Sequence, residues 1–367
     1  MTGLFQFSDD LGPAKVIGIY EPRVRLKAIL VVDNVAAGPA IGGARMAPDV
    51  SLEECFRLAR AMTLKNAAAG LPHGGGKSVI FADPRMPHEE KERMVRAFGR
   101  AIGQITDYIV GPDMGTNEES MAWIIDEIGR AVGLPREIGG IPLDEIGATG
   151  FGISIAAEAV AAAGHTDLAG ARVVIQGYGA VGRHVARFLA DRGSMIVAVS
   201  DSRGATHNPN GLALNDLDVH KQGTGSISDF GGGTAITPEQ LIGLDCEILV
   251  PAARPDVINA ENAGRVQAKL ILQGANIPAT REAEQILHQR GILSIPDFVA
   301  NAGGVICASV EFHGGNEKQA FDAIAEKISR NVAEVLAIAE RDKLETRTAA
   351  ERMATGRVAR AMSYRRV

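Results

Sequence analysis

Hydrophobic positions recur at two spacings along this chain, and the spacings sort it into unlike halves. In the first third, the run from Arg23 to Asn34 (RVRLKAILVVDN) reads as a strand, and SLEECFRLARAMTLKNAAAG (51–70) has a helical period. That helix is marked at both ends, by Ser51 and Glu54 in capping-box spacing and by Gly70 as a stop. Two more helical patterns follow. HEEKERMVRAFGRAI sets Val95, Phe98 and Ile102 on one face, and EESMAWIIDEIGRAVG sets Met121, Ile125, Ile128 and Val132 on one, with Asn117 placed to cap it.

Beyond a Gly- and Pro-rich stretch of weak periodicity (133–150), the pattern becomes a strand–helix alternation that starts near Ala171. RVVIQ, MIVAVSD, CEILVPAA, AKLILQGAN and ILSIPD are short apolar strands, and AVGRHVARFLADRG is a helix. Repeated alternation of this kind predicts a parallel, doubly wound sheet. From Glu317 onward the chain reads as two long helices. The expected fold is therefore α/β: an N-terminal α/β domain (1–138), a C-terminal domain with a Rossmann-type doubly wound sheet (139–335), and a helical tail (336–367) expected to pack back on the N-terminal domain.

Length supports two domains with a cleft, since 367 residues exceed the usual ~150 per domain. Scarce aromatics and 43 glycines suit tight turns and close helix-on-sheet packing. A net charge of −6 argues against holding nucleic acid or an anionic membrane by bulk charge. The five Arg against one Glu in 351–367 fit a solvated or subunit-facing helix. Cys55, Cys246 and Cys307 make neither a disulfide framework nor a zinc spacing, so no metal is expected and a reducing, cytoplasmic location is. Asp9 and Asp10 stand where a signal peptide needs its apolar core, and no run of 18 apolar residues occurs.

The most specific local motif is RVVIQGYGAVGRHVARFLADRGSMIVAVSD, where Gly177, Gly179 and Gly182 form GxGxxG between a strand and a helix. Gly177 suits the tight turn, Gly179 the approach of backbone to a pyrophosphate, and Gly182 helix–sheet contact. The helix N-terminus offers free N–H groups. Asp201 closes the next strand, where a carboxylate can accept from an adenine ribose. A lone GxGxxG is weak, but strand, helix, spacing and terminal acid together favour a dinucleotide over a bare glycine turn.

A second Gly-rich stretch, LPHGGGKSVI (71–80), fails the phosphate-loop register, because Leu71 stands where the first glycine is needed. It does place Lys77 after three glycines, with Lys65 on the preceding helix and Asp113 in the turn GPDMGTN. Two lysines and an acid converging in a cleft could lower the pKa of Lys77 through desolvation and the second charge, fitting it for acid–base work. Taken singly, each is a surface ion-pair partner.

GPAIGGARM (38–46), MTLKNAAAGLPHGGGKSVI (62–80), GPDMGTN (111–117), QGYGAVG (176–182), SDSRG (200–204), QGAN (273–276) and IPDFVANAGGV (295–305) together resemble the glutamate/leucine/phenylalanine/valine dehydrogenase family, in the family's order and through nearly the whole chain. The resemblance implies reversible oxidative deamination of an L-amino acid to a 2-oxo acid and ammonia. Lys65 would bind the α-carboxylate, Lys77 would activate water and polarise the carbonyl, and Asp113 would shuttle protons to the amine. Asn276 would act near the nicotinamide or the substrate. Cofactor-binding candidates are Gly177, Tyr178, Gly179, Ala180, Val181, Gly182, Asp201, Thr149, Ala252 and Asn276.

Glutamate enzymes of the family hold the distal carboxylate with a lysine just before GGxR and a serine beyond NAGGV. Here these positions are Ile41 and Ala308, neither of which pairs with a carboxylate; with Val305 they are expected to bind an apolar side chain. Loops such as SDSRGATHNPNGL look like the glutamate branch, so glutamate is the alternative. His73 stands where the family usually has an apolar residue, as a satisfied structural histidine or as a contact to a polar substrate atom. NAD is the expected cofactor because Asp201 repels a 2′-phosphate, with NADP the alternative because Arg203 could pair with it. The expected partners are the small substrate and further copies of the chain, without nucleic acid or membrane. Hydroxy-acid dehydrogenases would use a His/Arg/acid set instead, and a non-catalytic nucleotide sensor would have no need of Lys77 and Asp113.

Overall fold

The structure, a computed structural model, describes residues 4–365. The chain divides into two compact units: unit 1 is Met1–Leu143, Val305–Ala323 and Glu351–Val367, and unit 2 is Asp144–Gly304 and Ile324–Ala350. These ranges replace the expected breaks at 138/139 and 335/336. The first crossing still falls in the Gly/Pro-rich stretch, but the later ones lie inside continuous helices, where no turn residue announces a change of packing partner.

Unit 1 opens with β1 (Lys15–Glu21), β2 (Leu26–Asn34), β3 (Ala40–Ala47), α1 (Leu52–Ala68), β4 (Gly74–Phe81), α2 (His88–Ala101), β5 (Tyr108–Pro112) and α3 (Glu118–Ile128). Its sheet runs β1-β2-β4-β3-β5, with β3 parallel to both β4 and β5 and the β1/β2 and β2/β4 pairs antiparallel. The expected strand from Arg23 is shortened, because Pro22–Val24 form a 3-10 turn and Arg25 takes φ +55°, so β2 begins at Leu26. α1 is capped as its sequence predicts, Ser51 Oγ accepting from the Glu54 N–H, and Gly70 follows its end at φ +62°.

The Gly-rich segment 74–76 forms the first half of β4, a strand no pattern had marked. A Cβ on Gly75 would lie 2.0 Å from the Thr63 nitrogen of α1, and one on Gly42 1.6 Å from the Gly76 oxygen. Backbone packs here directly on backbone, which only glycine permits. α3 stops earlier than its period suggests: Gly129 takes φ +66° and ends the helix, so Val132 leaves the helical face it was expected to share.

Unit 2 contains α4 (Ala148–Ala162), β6 (Arg172–Gln176), α5 (Ala180–Ala190), β7 (Met195–Ser200), β8 (Ala205–His207), α6 (Leu214–Thr224), β9 (Thr234–Ile236), α7 (Pro238–Ile242), β10 (Ile248–Pro251), β11 (Leu270–Leu272), α8 (Arg281–Gln289), β12 (Leu293–Ile295) and α9 (Asp297–Ala300). Three C-terminal helices follow, α10 (Gly303–Phe312), α11 (Glu317–Asp342) and α12 (Thr346–Ser363). The sheet order is β12-β11-β10-β6-β7-β8-β9, parallel from β12 to β7 with an antiparallel β8–β9 edge. The two short edge strands lack the apolar run of the buried parallel strands, which is why the pattern did not show them. The order reverses where β6 separates β10 from β7, the place at which open α/β sheets take ligands.

Within unit 1, Arg357 of α12 donates to the carbonyls of Ala67 and Ala68 at the end of α1 (3.2 and 2.8 Å), and Arg365 Nε donates to Ala36 O at 2.9 Å. Two of the tail arginines therefore bind unit 1 backbone rather than only facing solvent. No helix among the described residues is long and apolar enough to cross a membrane.

Candidate active site

Lys77 leaves β4 and Asp113 follows the last residue of β5, with β3 between the two strands. The glycine pair of β3 clears the path between them: a Cβ on Gly43 would sit 2.8 Å from the Asp113 Cβ. Lys77 Nζ makes a direct ion pair with Asp113 Oδ2. Asp113 Oδ1 accepts from Arg45 Nε and Nη2 at 3.3 and 3.2 Å, and Arg45 Nη1 reaches Glu54 at 2.5 Å. Thr116 fixes the turn, its hydroxyl accepting from the Asp113 N–H and donating to Ala44 O.

Only 5% of Lys77 is exposed. Burial, joined by the nearby Arg45 and Lys65 cations, pulls its ammonium down to about 7. An amine poised there exchanges a proton at neutral pH, and Asp113 lies within direct reach of that proton. Lys65, on the last turn of α1, is half-buried and near enough for its charge to act on Lys77.

Ile41 of β3 pairs in register with Ile109 of β5, and both pack with Val132 and Ala308 of α10 in one buried apolar cluster. The structure thus brings Ile41 and Ala308 together and adds two residues the sequence reading had not placed beside them. Ile109 was hidden in a short unmarked strand, and Val132 had been counted on a helix. Val305 stands one turn before Ala308 on α10.

His73 is buried. Its Nδ1 lies 3.1 Å from Pro39 O, its Nε2 has no hydrogen-bond partner among the described residues, and its ring meets Phe312 edge-on at 5.7 Å. Burial pulls it down to about 4, so it stands neutral, donating through Nδ1.

Unit 2 presents a second set. Gly177 turns out of β6 at φ +102°, and a Cβ on it would meet the Ala253 backbone at 2.8 Å; a Cβ on Gly182 would lie 1.9 Å from Gly177 O. A Cβ on Gly179 would meet nothing within 4 Å, so its backbone borders open space. α5 begins there with no side-chain cap, and its first N–H groups suit a pyrophosphate. Ala180 is exposed and Val181, Thr149 and Ala252 half-buried. Tyr178 is tied into the turn, its N–H donating to Ser200 O and its buried hydroxyl to Asp218.

The Asp201 carboxylate accepts from the N–H groups of Arg203 and Ile227 and from Ser226 Oγ, with Lys221 Nζ at 3.4 Å. Burial pushes its pKa up, but these N–H donors and the Lys221 charge outweigh burial and hold it below the ordinary carboxylate range. Asn301 Nδ2 donates to Gly274 O, Ala275 O and Asn276 Oδ1, which turns the exposed Asn276 amide so that its Nδ2 carries no bond among the described residues.

The family model described as Glutamate/Leucine/Phenylalanine/Valine dehydrogenase matches residues 139–366, and the one described as Glu/Leu/Phe/Val dehydrogenase, dimerisation domain, matches residues 21–130. The chain belongs to this family. It is 38% identical to an NAD-specific glutamate dehydrogenase of Staphylococcus aureus over 351 residues, 90% of this chain and 84% of the relative. It is also similar to a hetero-hexameric glutamate dehydrogenase from Thermus thermophilus solved in a leucine-bound form (TM-score 0.87, 32% identity, 97% and 90% of the two chains) and to L-tryptophan dehydrogenase from Nostoc punctiforme (0.75, 27%, 96% and 98%). As a Glu/Leu/Phe/Val dehydrogenase the protein is an amino-acid dehydrogenase that acts on a CH–NH2 group with NAD(P) as acceptor.

In this dehydrogenase the sequence reading missed a buried network of Arg347, Glu284, Asp297 and Gln273. Arg347 donates to Glu284 (2.6 Å), Asp297 (2.8 Å) and Gln273 Oε1 (2.7 Å), and Asp297 Oδ2 accepts from the Ile277 N–H. The network braces the 273–277 loop that carries Asn276. Gln273 and Asp297 lie in the QGAN and IPDFVANAGGV motifs, but Glu284 and Arg347 lie in no motif, and nothing in the spacing of the four says that they meet.

Proposed function

We propose that the protein carries out NAD-dependent oxidative deamination of L-amino acids with apolar side chains. Lys65 holds the α-carboxylate. Lys77 takes a proton from the attacking water and returns it to stabilise the developing oxyanion, while Asp113 exchanges protons with the amine. Ile41, Ile109, Val132, Val305 and Ala308 receive the side chain. When bound at Gly177–Gly182 and Asp201, with Ala180, Val181, Thr149, Ala252 and Asn276 adjoining, NAD serves as hydride acceptor. The observation that carries the reading is the uncharged cluster of Ile41, Ile109, Val132 and Ala308, in which a carboxylate would be buried without a partner. A relative named for tryptophan supports it. The second reading, glutamate as substrate, rests on the name of the Staphylococcus aureus relative. Measuring NADH formation with each of the twenty L-amino acids tests both.

Two further outcomes follow. Because Lys77 accepts a proton only when neutral, kcat/KM for deamination rises as pH passes through about 7, and the rate of the reverse reaction, which needs the charged form, falls over the same interval. A deamination profile flat from about pH 6 to about pH 8 would count against Lys77 as the base. For the cofactor, kcat/KM with NAD exceeds that with NADP by about tenfold or more, since the Asp201 carboxylate repels a 2′-phosphate and Lys221 offsets only part of that repulsion. A preference for NADP overturns this. The dimerisation-domain match supports a homo-oligomer, which light scattering of the purified protein would test.

A further inference from the structure

Glu311 lies on α10 three residues after Ala308, so both side chains occupy one face of that helix. It is 9% exposed, and no cation pairs with it among its described contacts. Three backbone N–H groups converge on its carboxylate instead: Gly133 and Leu134 donate to Oε1 at 2.7 and 3.2 Å, and Ile141 donates to Oε2 at 2.7 Å. Burying a carboxylate in this way is costly unless it is fully hydrogen-bonded, and bonds of this type are among the stronger ones available. The segment it grips leads directly from Val132, whose own N–H donates to Val110 O of β5 at 2.9 Å. Gly133 takes φ +72°, and a Cβ there would strike the Pro112 ring at 2.5 Å, so the segment lies tightly against the end of β5, next to Asp113.

We infer that Glu311 is a positioning residue for side-chain selectivity: by gripping residues 133–141 from α10, it fixes the spacing between Val132 on that segment and Ala308 on the helix. The inference deepens the proposed function and rests on its assignment of the Val132–Ala308 wall to the substrate side chain. A carboxylate is needed because two acceptor oxygens serve three donors facing the same way. An amide would set its own N–H2 against one of them.

The test compares kcat/KM for the long-side-chain amino acid that the wild-type enzyme uses best with kcat/KM for 2-aminobutyrate, whose ethyl group is too short to span the wall. In Glu311→Gln the ratio falls about tenfold, the scale on which apolar pockets discriminate a methylene. The loss appears in KM for the long substrate, while kcat and KM for NAD hold. Glu311→Asp, which keeps both acceptor oxygens, restores part of the ratio. Val132→Ala, which removes the wall itself, lowers the ratio similarly, and Glu311→Asp carries the decision if Glu311→Gln does not fold. An unchanged ratio, or equal losses for both substrates, overturns the inference. If glutamate proves to be the best wild-type substrate, the apolar reading fails and this inference falls with it, whereas an unchanged ratio in an enzyme that prefers an apolar substrate overturns the inference alone.

Discussion

Lys77→Ala lowers kcat for deamination by about 10²- to 10⁴-fold, the range that loss of a positioned acid–base group costs, while NAD still binds. The separation follows from where the groups sit. Lys77 and Asp113 belong to unit 1, whereas the Gly177–Gly182 turn and Asp201 belong to unit 2. Asp113 does not lose its last partner, because Arg45 and the Met114 N–H still donate to it. Lys77→Arg is expected to fail equally, since a guanidinium keeps its charge across the working pH range and does not take up a proton. Fluorescence titration with NADH and thermal unfolding distinguish lost chemistry from lost fold. A variant that keeps more than about a hundredth of the wild-type kcat with normal cofactor binding would remove Lys77 from the mechanism.

The residues of the candidate site were legible because they sit in motifs whose spacing reflects backbone constraints. The turn at Gly177 and the packing contact at Gly182 both show in the conformation of the chain, while a Cβ on Gly179 would meet nothing within 4 Å and the approach to a pyrophosphate there belongs to the proposal. Lys77 could be singled out because three glycines precede it. Arg45 was visible only as part of GGARM, and nothing in the sequence says that it reaches across to pair with Asp113 and Glu54. That contact depends on β3 lying between β4 and β5, a strand order that sequence spacing does not encode.

The fold was legible where one element buries one clean stripe. α1 announces itself through its period and its Ser51 cap, and α2, α5 and the five parallel strands of unit 2 through pattern alone. β4 does not, because its glycines are there to let α1 approach and a glycine-rich run looks like a loop. Nor does Val132, whose place depends on Gly129 ending α3 after eleven residues rather than continuing the period. The last helices were found as helices, but which body each part packs on depends on tertiary contacts such as Arg357 with the end of α1.

Leucine or phenylalanine is expected to exceed glutamate in kcat/KM by about 10³-fold or more, because leaving a glutamate side-chain carboxylate unpaired against Ile41, Ile109, Val132 and Ala308 costs several kcal/mol. Two cations outside the cluster are the natural candidates to rescue glutamate, and the geometry speaks against each. Arg45 is committed to Asp113 and Glu54, and turning it toward a ligand would break two ion pairs beside the Lys77 amine. His73 is buried and held neutral, with a pKa near 4, so at neutral pH it offers no charge. The double change Ile41→Lys with Ala308→Ser supplies the missing cation and hydroxyl donor, and should raise kcat/KM for glutamate while lowering that for leucine. Ile41 is buried, so an ammonium there is itself desolvated until glutamate arrives, and the double variant is expected to unfold at a lower temperature in the absence of substrate. Added glutamate should recover part of that loss, because a ligand that binds only the folded state stabilises it. If the unmodified enzyme prefers glutamate, the side chain is not received by this cluster, and the substrate lies in a different register against Lys65 and Lys77 from the one proposed.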